Sequence, residues 1–131
     1  MFTLTGFGDE ISPHLDEQLD LLQSEGINAL DLRGVEGKNV LDLTDAEAEQ
    51  LSSELERRGC AVSAIASPIG KIRIDEPFEP HRARFRRALD LAEFFRAPFI
   101  RVFSFYVPAG EAALHRDAVM ARLLALAEDA D

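Results

Sequence analysis

Residues 24–34 read SEGINALDLRG, residues 56–67 read ERRGCAVSAIAS and residues 94–104 read FFRAPFIRVFS. Each stretch is a helix end that passes directly into a short run of β-prone residues. Gly26 and Gly59 suit the left-handed cap that closes a helix, and Ala97 stands at the third joint. The joints are 33 and 38 residues apart. Repeated helix and strand units of this size imply a parallel sheet with right-handed crossovers, and their length matches the unit of a (β/α) barrel.

Outward from these joints, Phe2 to Phe7 is short, apolar and β-prone and reads as strand one, broken by Gly6 and Gly8. Ser12-Pro13 begins helix one, with Leu15, Leu19 and Leu22 on one face. Strand two is Ile27 to Arg33. A loop, GVEGKNVLDL, leads to Thr44-Asp45-Ala46-Glu47, whose spacing is that of a capping box and which opens helix two, running to about Arg58. Cys60 to Ala66 suits a strand buried on both faces. Pro77 and Pro80 bracket the start of helix three, whose apolar face is Phe85, Ala88, Leu89, Ala92 and Phe95. Phe99 to Tyr106 reads as strand four and Ala112 to Ala127 as helix four.

The expected fold is therefore α/β: a (β/α)4 half of a TIM barrel, with parallel strands in the order 1-2-3-4 and helices on the outer face. One domain spans residues 1–131. An eightfold barrel needs about 250 residues, so the chain is expected to be truncated after its fourth helix.

Composition narrows the function. The 131 residues are 47% hydrophobic and 29% charged, which fits one compact domain. Fourteen Lys and Arg against 24 Asp and Glu give a net charge of -10, a field that repels phosphate backbones and anionic membranes. Nucleic acid and membrane are not expected as partners. Cys60 is the one cysteine, no run approaches a membrane span, and the N-terminus MFTLTGFGDE lacks the pattern of a signal peptide, so a cytoplasmic location is expected.

In barrel enzymes the chemistry sits where strands end. Strand one ends at Asp9 and Glu10, where a carboxylate serves either a sugar hydroxyl or the positive end of helix one. Alternation along strand two sends Leu30 and Leu32 to the helices and Asp31 and Arg33 inward. An inward charge needs a partner, and Asp31 is expected to pair with Arg101, which strand four turns inward with Phe103 and Phe105. Arg33, nearer the strand's exit, is a candidate for a sugar hydroxyl or phosphate. Ser67-Pro68-Ile69-Gly70-Lys71 follows strand three with a hydroxyl and a cation; a lysine at a barrel mouth holds a phosphate or polarises a carbonyl, and an ordinary exposed one does neither. Lys38 and Asn39 are weaker candidates. Ser104 and Tyr106 end strand four, and Tyr106 serves equally as a sugar wall or as packing. His14, His81 and His115 open predicted helices and are expected to face solvent or cap. Arg82, Arg84, Arg86 and Arg87 spread around their helix and read as a solvated face with acidic partners. Residues 71 to 101 nonetheless carry eight basic and five acidic groups, a contrast with the acidic remainder able to draw two molecules together.

The series GFGDEIS, LDLRG, GKNVLDL, ASPIGK, DEPFEPH and IRVFSFY resembles the N-terminal half of the sugar phosphate isomerase/epimerase family, which shares the xylose-isomerase-like barrel. The resemblance runs from Gly6 to about Tyr106. It implies proton transfer next to a sugar carbonyl, promoted by a divalent metal (manganese, magnesium or zinc) in full-length members. Such members draw their metal ligands from strands five to eight, so no metal site is expected among these residues. Substrate contacts are expected from Glu10, Arg33, Ser67, Lys71, Ser104 and Tyr106, with no catalytic residue assigned. A zinc endonuclease acting at abasic sites shares the fold but takes His ligands after strands three and four. Here Ser67-Pro68 and Ser104-Phe105 occupy those places, and imidazole donors are absent. The alternative function is a non-catalytic half-barrel that forms a homodimer through its open strand edges.

Overall fold

The computed structural model describes residues 1–131. The chain runs α1 (Leu15–Ser24), β1 (Ala29–Leu32), β2 (Gly34–Val35), β3 (Lys38–Asn39), α2 (Asp45–Arg58), β4 (Ala61–Ile65), α3 (Phe78–Phe95), β5 (Phe99–Ile100) and α4 (Ala112–Ala130). Strands β1, β4 and β5 form a parallel sheet in that order. Gly6 adds a parallel bridge to Leu30 at the β1 edge. The molecule is thus α/β, with four helices and a parallel sheet that follows chain order.

Local chemistry sets the helix boundaries. Thr44 Oγ1 accepts from the Glu47 amide at 3.1 Å and Glu47 Oε2 accepts from the Thr44 amide at 2.9 Å, completing the capping box of α2. Gly59 closes that helix at φ +67°. Helix α1 begins three residues beyond Ser12, at Leu15. Ser12 Oγ takes the His14 amide, and Glu36 Oε1, from the turn between β2 and β3, takes the Leu15 amide. Helix α3 ends at Arg96, which holds φ +54° where Gly is usual.

One sheet face carries the core. Leu30, Leu32, Val62 and Ile65 are buried with Leu19 and Leu22 of α1, Leu51 and Leu55 of α2, and Phe85, Ala88 and Leu91 of α3. Arginines tie successive helices: Arg58 reaches Asp20 of α1, Arg87 of α3 reaches Asp45 of α2, and Arg82 of α3 grips Asp129 of α4 through two bonds of 2.6 and 2.7 Å. Arg84 takes Asp42. The arginines of the basic segment thus meet several acidic partners inside the same molecule.

Three expected elements differ. Strand one shrinks to the bridge at Gly6, because Phe2 (96% exposed) and Leu4 (66% exposed) have nothing to pack against. Strand four is regular only at Phe99–Ile100. Beyond it the Phe103, Phe105 and Tyr106 amides bond to Ile69, Gly70 and Ile72 of an irregular loop, since β4 has already ended. Phe105 takes φ +68°, which reverses its side chain. Instead of pointing inward it is buried, edge-on to Phe78 and near His81. The expected loop 34–43 contains the β2–β3 hairpin, turned through Glu36 and Gly37 at φ +52° and +76°.

No helix is long and apolar enough to cross a membrane.

Candidate functional site

The polar face of the sheet gathers its charged groups at the carboxyl ends of the parallel strands. Phe7 to Glu10 follow the Gly6 bridge, Arg33 follows β1, Ser67 to Lys71 follow β4, and Arg101 and Phe103 follow β5. Two aromatic rings organise them. The Arg33 and Arg101 guanidinium carbons lie 4.8 and 5.4 Å from the Phe7 ring centroid. Arg101 and the Lys71 amine lie 4.8 and 4.6 Å from that of Phe103. These are cation–π distances, stronger where water is partly excluded.

Arg33 makes a fork to Asp9, Nε to Oδ2 at 2.7 Å and Nη2 to Oδ1 at 2.9 Å, and Nη2 also reaches Glu10 Oε1 at 3.1 Å. The Asp9 hydrogen bond is the main cause that raises the Arg33 pKa above its ordinary value. Asp9 and Glu10 are therefore held by a side chain from the next strand rather than by the start of α1.

Arg101 has no carboxylate partner. Its Nη2 donates to the carbonyls of Ala66 at 3.1 Å and Ser67 at 3.3 Å, and its Nε to Ser67 at 3.4 Å. Burial, followed by the charge of Arg33, lowers its pKa. The expected Asp31–Arg101 pair does not form. Asp31 instead accepts from Ser63 Oγ at 2.6 Å and Thr5 Oγ1 at 2.8 Å, its neighbours on the adjoining segments. Arg101 lies beyond them, past the ends of β4 and β5.

Glu10, Arg33 and, through Arg101, Ser67 come together, and Lys71 joins them across Phe103. Ser67 is fully buried; its hydroxyl donates to the Arg101 carbonyl at 2.5 Å and accepts from the Ile69 amide at 3.3 Å, so it acts on the site by fixing the Arg101 backbone. Ser104 lies elsewhere, in an apolar groove with Val107, Ala113 and Val119 beside α4. Tyr106 is 57% exposed and bridges to Arg73 at the far end of the loop. Lys38 pairs with Glu47, and Asn39 Oδ1 accepts from the Leu41 amide, although both line a shallow cleft with Asp9 and Arg33.

Phe7 was legible only as an apolar strand residue, and nothing local in the sequence signals that two arginines share its ring. His81 was expected to face solvent or cap, and its role differs. It is half-buried, and its Nε2 accepts the Gly70 amide at 2.8 Å, fixing the loop that carries Lys71. His14 and His115 do lie at helix starts, against Glu36 and Glu111.

No group of three or more His, Cys, Asp or Glu side chains converges to hold a metal ion. Asp9 and Glu10 face Arg33, and Asp31 faces two hydroxyls, so these donors do not fit the metal that the resemblance implies. What the arrangement offers is binding and orientation: guanidinium donors, carboxylate acceptors and two aromatic faces.

The sequence matches no described protein family and no curated protein.

Proposed function

We propose that residues 1–131 are the N-terminal (β/α)4 half of a xylose-isomerase-like barrel, part of a sugar or sugar phosphate isomerase or epimerase. One observation carries this assignment: the charged and aromatic cluster of Phe7, Asp9, Arg33, Arg101 and Phe103 stands at the carboxyl ends of parallel strands, on the face opposite the apolar core. That is where barrel enzymes bind their substrates. The cluster has the composition of a sugar site, with planar donors and acceptors for hydroxyls and rings for the apolar faces of a pyranose or furanose.

In this assignment the chain's residues bind and orient. The Arg33–Asp9–Glu10 network presents fixed donors and acceptors to hydroxyls, and Phe7 and Phe103 exclude water from one side. The abstraction of a proton next to the carbonyl belongs to groups outside this chain, and the divalent metal of full-length members is proposed to be held there too. The test is solvent-deuterium exchange. With manganese and a panel of ketoses and ketose phosphates in D2O, the polypeptide carrying these residues is expected to incorporate deuterium next to the carbonyl; no exchange from any sugar overturns the assignment.

A second assignment, a half-barrel assembly unit that forms a homodimer, is favoured by the outer edge of β5 and its continuation. The Val102 and Ser104 amides there have no acceptor, and Phe99 is 70% exposed. Beside that edge runs a groove lined by Phe85, Leu89, Ile100, Val102, Leu123 and Leu126. Sedimentation at micromolar concentration decides it: a dimer supports this assignment, and a monodisperse monomer overturns it.

A further inference from the structure

The loop between β4 and α3, residues 66–77, is joined to the segment after β5 by a ladder of backbone bonds. The Phe103, Phe105 and Tyr106 amides donate to the carbonyls of Ile69, Gly70 and Ile72 at 2.7, 3.0 and 2.9 Å, and the Ile74 amide donates back to Tyr106 at 2.9 Å. Gly70 also packs so closely on Phe103 that a Cβ there would lie 1.8 Å from the carbonyl oxygen. Loop and segment are therefore one body. Part of the strand-end cluster rides on it, because the Phe103 ring carries Arg101 at 4.8 Å and Lys71 at 4.6 Å.

Two side chains of the helix layer tie this body down. Arg122 of α4 donates through Nη2 to the Ile74 and Glu76 carbonyls at 2.8 Å each, with its guanidinium 5.1 Å from the Phe78 and Phe105 ring centroids. His81 of α3 accepts the Gly70 amide at 2.8 Å, its ring edge-on to Phe105 at 6.3 Å. A guanidinium keeps its proton at every ordinary pH, so the Arg122 tie is permanent. The His81 tie is not. A proton on Nε2 turns the acceptor into a donor that faces the Gly70 donor. The new charge is repelled by Arg84 from α3 itself and by Arg122 from α4, is attracted by Glu76 from the loop, and meets the Phe105 ring in the segment after β5. In a half-buried place with two repelling charges to one attracting, the protonated ring gains by leaving.

We propose that His81 is a pH-operated latch on the strand-end cluster. Neutral, it holds the loop so that Phe103 seats Arg101 and Lys71; protonated, it lets go of Gly70, and the loop, Phe103 and the contacts of both cations shift together. Burial favours the neutral ring, so the latch opens in acid, below the ordinary histidine value of 6.5. The latch belongs to the chain's own conformations and does not depend on the sugar assignment.

The experiment is an NMR pH titration of the labelled 131-residue chain across the histidine range, with no sugar present. The His81 C2 proton, the Gly70 and Phe103 amides, the Phe103 ring and the Arg101 Nε–Hε group are expected to share one midpoint. Exchange protection of the Gly70 amide, corrected for its intrinsic rate, is expected to fall about tenfold across it, in line with one lost hydrogen bond. If Gly70 follows His81 while Phe103 and Arg101 stay still, the bond breaks without moving the site and the latch is overturned. His81→Gln offers an amide oxygen to Gly70 and carries no titrating proton. In that variant Phe103 and Arg101 are expected to keep their high-pH resonances and to lose the midpoint; the same midpoint in the variant assigns the change to His14, His115 or a carboxylate and contradicts the proposal. Should the variant fail to fold, the native chain decides, because Phe103 and Arg101 must follow the His81 C2 proton and not those of His14 or His115. Sugar binding with a pH-independent Phe103 rejects the latch alone, and a working latch in a chain that binds no sugar rejects the sugar site alone.

Discussion

His81 Nε2 accepts a hydrogen bond from the backbone amide of Gly70 at 2.8 Å, across eleven residues. A ring nitrogen can accept only while it is unprotonated, so this bond joins the loop after β4 to the first turn of α3 in the neutral state of the histidine.

Burial, with Arg84 and Arg122 adding to it and Glu76 opposing it, lowers the His81 pKa from 6.5. His14 is shifted the other way: its bond to Glu36 raises its pKa above 6.5. The two have opposite consequences for stability. The His81 contribution is whole above pH 6.5 and is lost as pH falls through its lowered folded value. The His14 contribution is whole below pH 6.5 and is lost as pH rises through its raised folded value. Proton NMR titration of the C2 protons is expected to place His81 below His14; the reverse order contradicts the geometry.

Gly70 sits at φ +89°, and a Cβ built there would lie 1.8 Å from the Phe103 carbonyl oxygen. Gly70→Ala forces the loop away from Phe103, in the segment after β5, and is expected to destabilise by on the order of 3 kcal/mol. Gly37→Ala meets nothing within 4 Å and is expected to cost about 1 kcal/mol, the strain of its positive φ alone. Urea unfolding of both variants checks the difference, and equal losses would mean that the Phe103 contact does not matter.

Thr44→Ala removes the hydroxyl that caps α2 and is expected to cost about 1 kcal/mol. Thr44→Ser keeps the acceptor and is expected to stay within a few tenths of wild type. Denaturant midpoints at constant slope measure both.

Leu30 is 1% exposed at the centre of the sheet's apolar face. Leu30→Ala leaves a cavity between β1 and the helices and is expected to cost about 3 kcal/mol. Calorimetry reads the loss as a fall in Tm.

The capping box at Thr44 and Glu47 was legible because both partners lie three residues apart, and β1 because Leu30 and Leu32 alternate with Asp31 and Arg33. Chain-order pairing of the strands followed from the same repeat. The partners of Asp31 were not legible: choosing Ser63 and Thr5 over Arg101 depends on how far each strand runs before it ends, which is a register and not a pattern. The hairpin escaped notice because Glu36-Gly37 is an unusual pair for a turn in which both residues need positive φ. Phe105 escaped for the same reason, since alternation assumes extended backbone and φ +68° breaks it. At the site, the charges could be read from strand ends, but the sharing of Phe7 by two arginines arises only when three separate segments of the chain are brought together.

The central claim is that the strand ends on the polar face form a sugar site. A two-dimensional NMR titration of the labelled chain with a ketose phosphate tests it most directly. Shifts are expected at Phe7, Arg33, Arg101 and Phe103, with Lys71 following. Shifts confined to the helix layer, such as the groove of Leu89, Ile100 and Leu123, or no shifts at millimolar sugar, would contradict it.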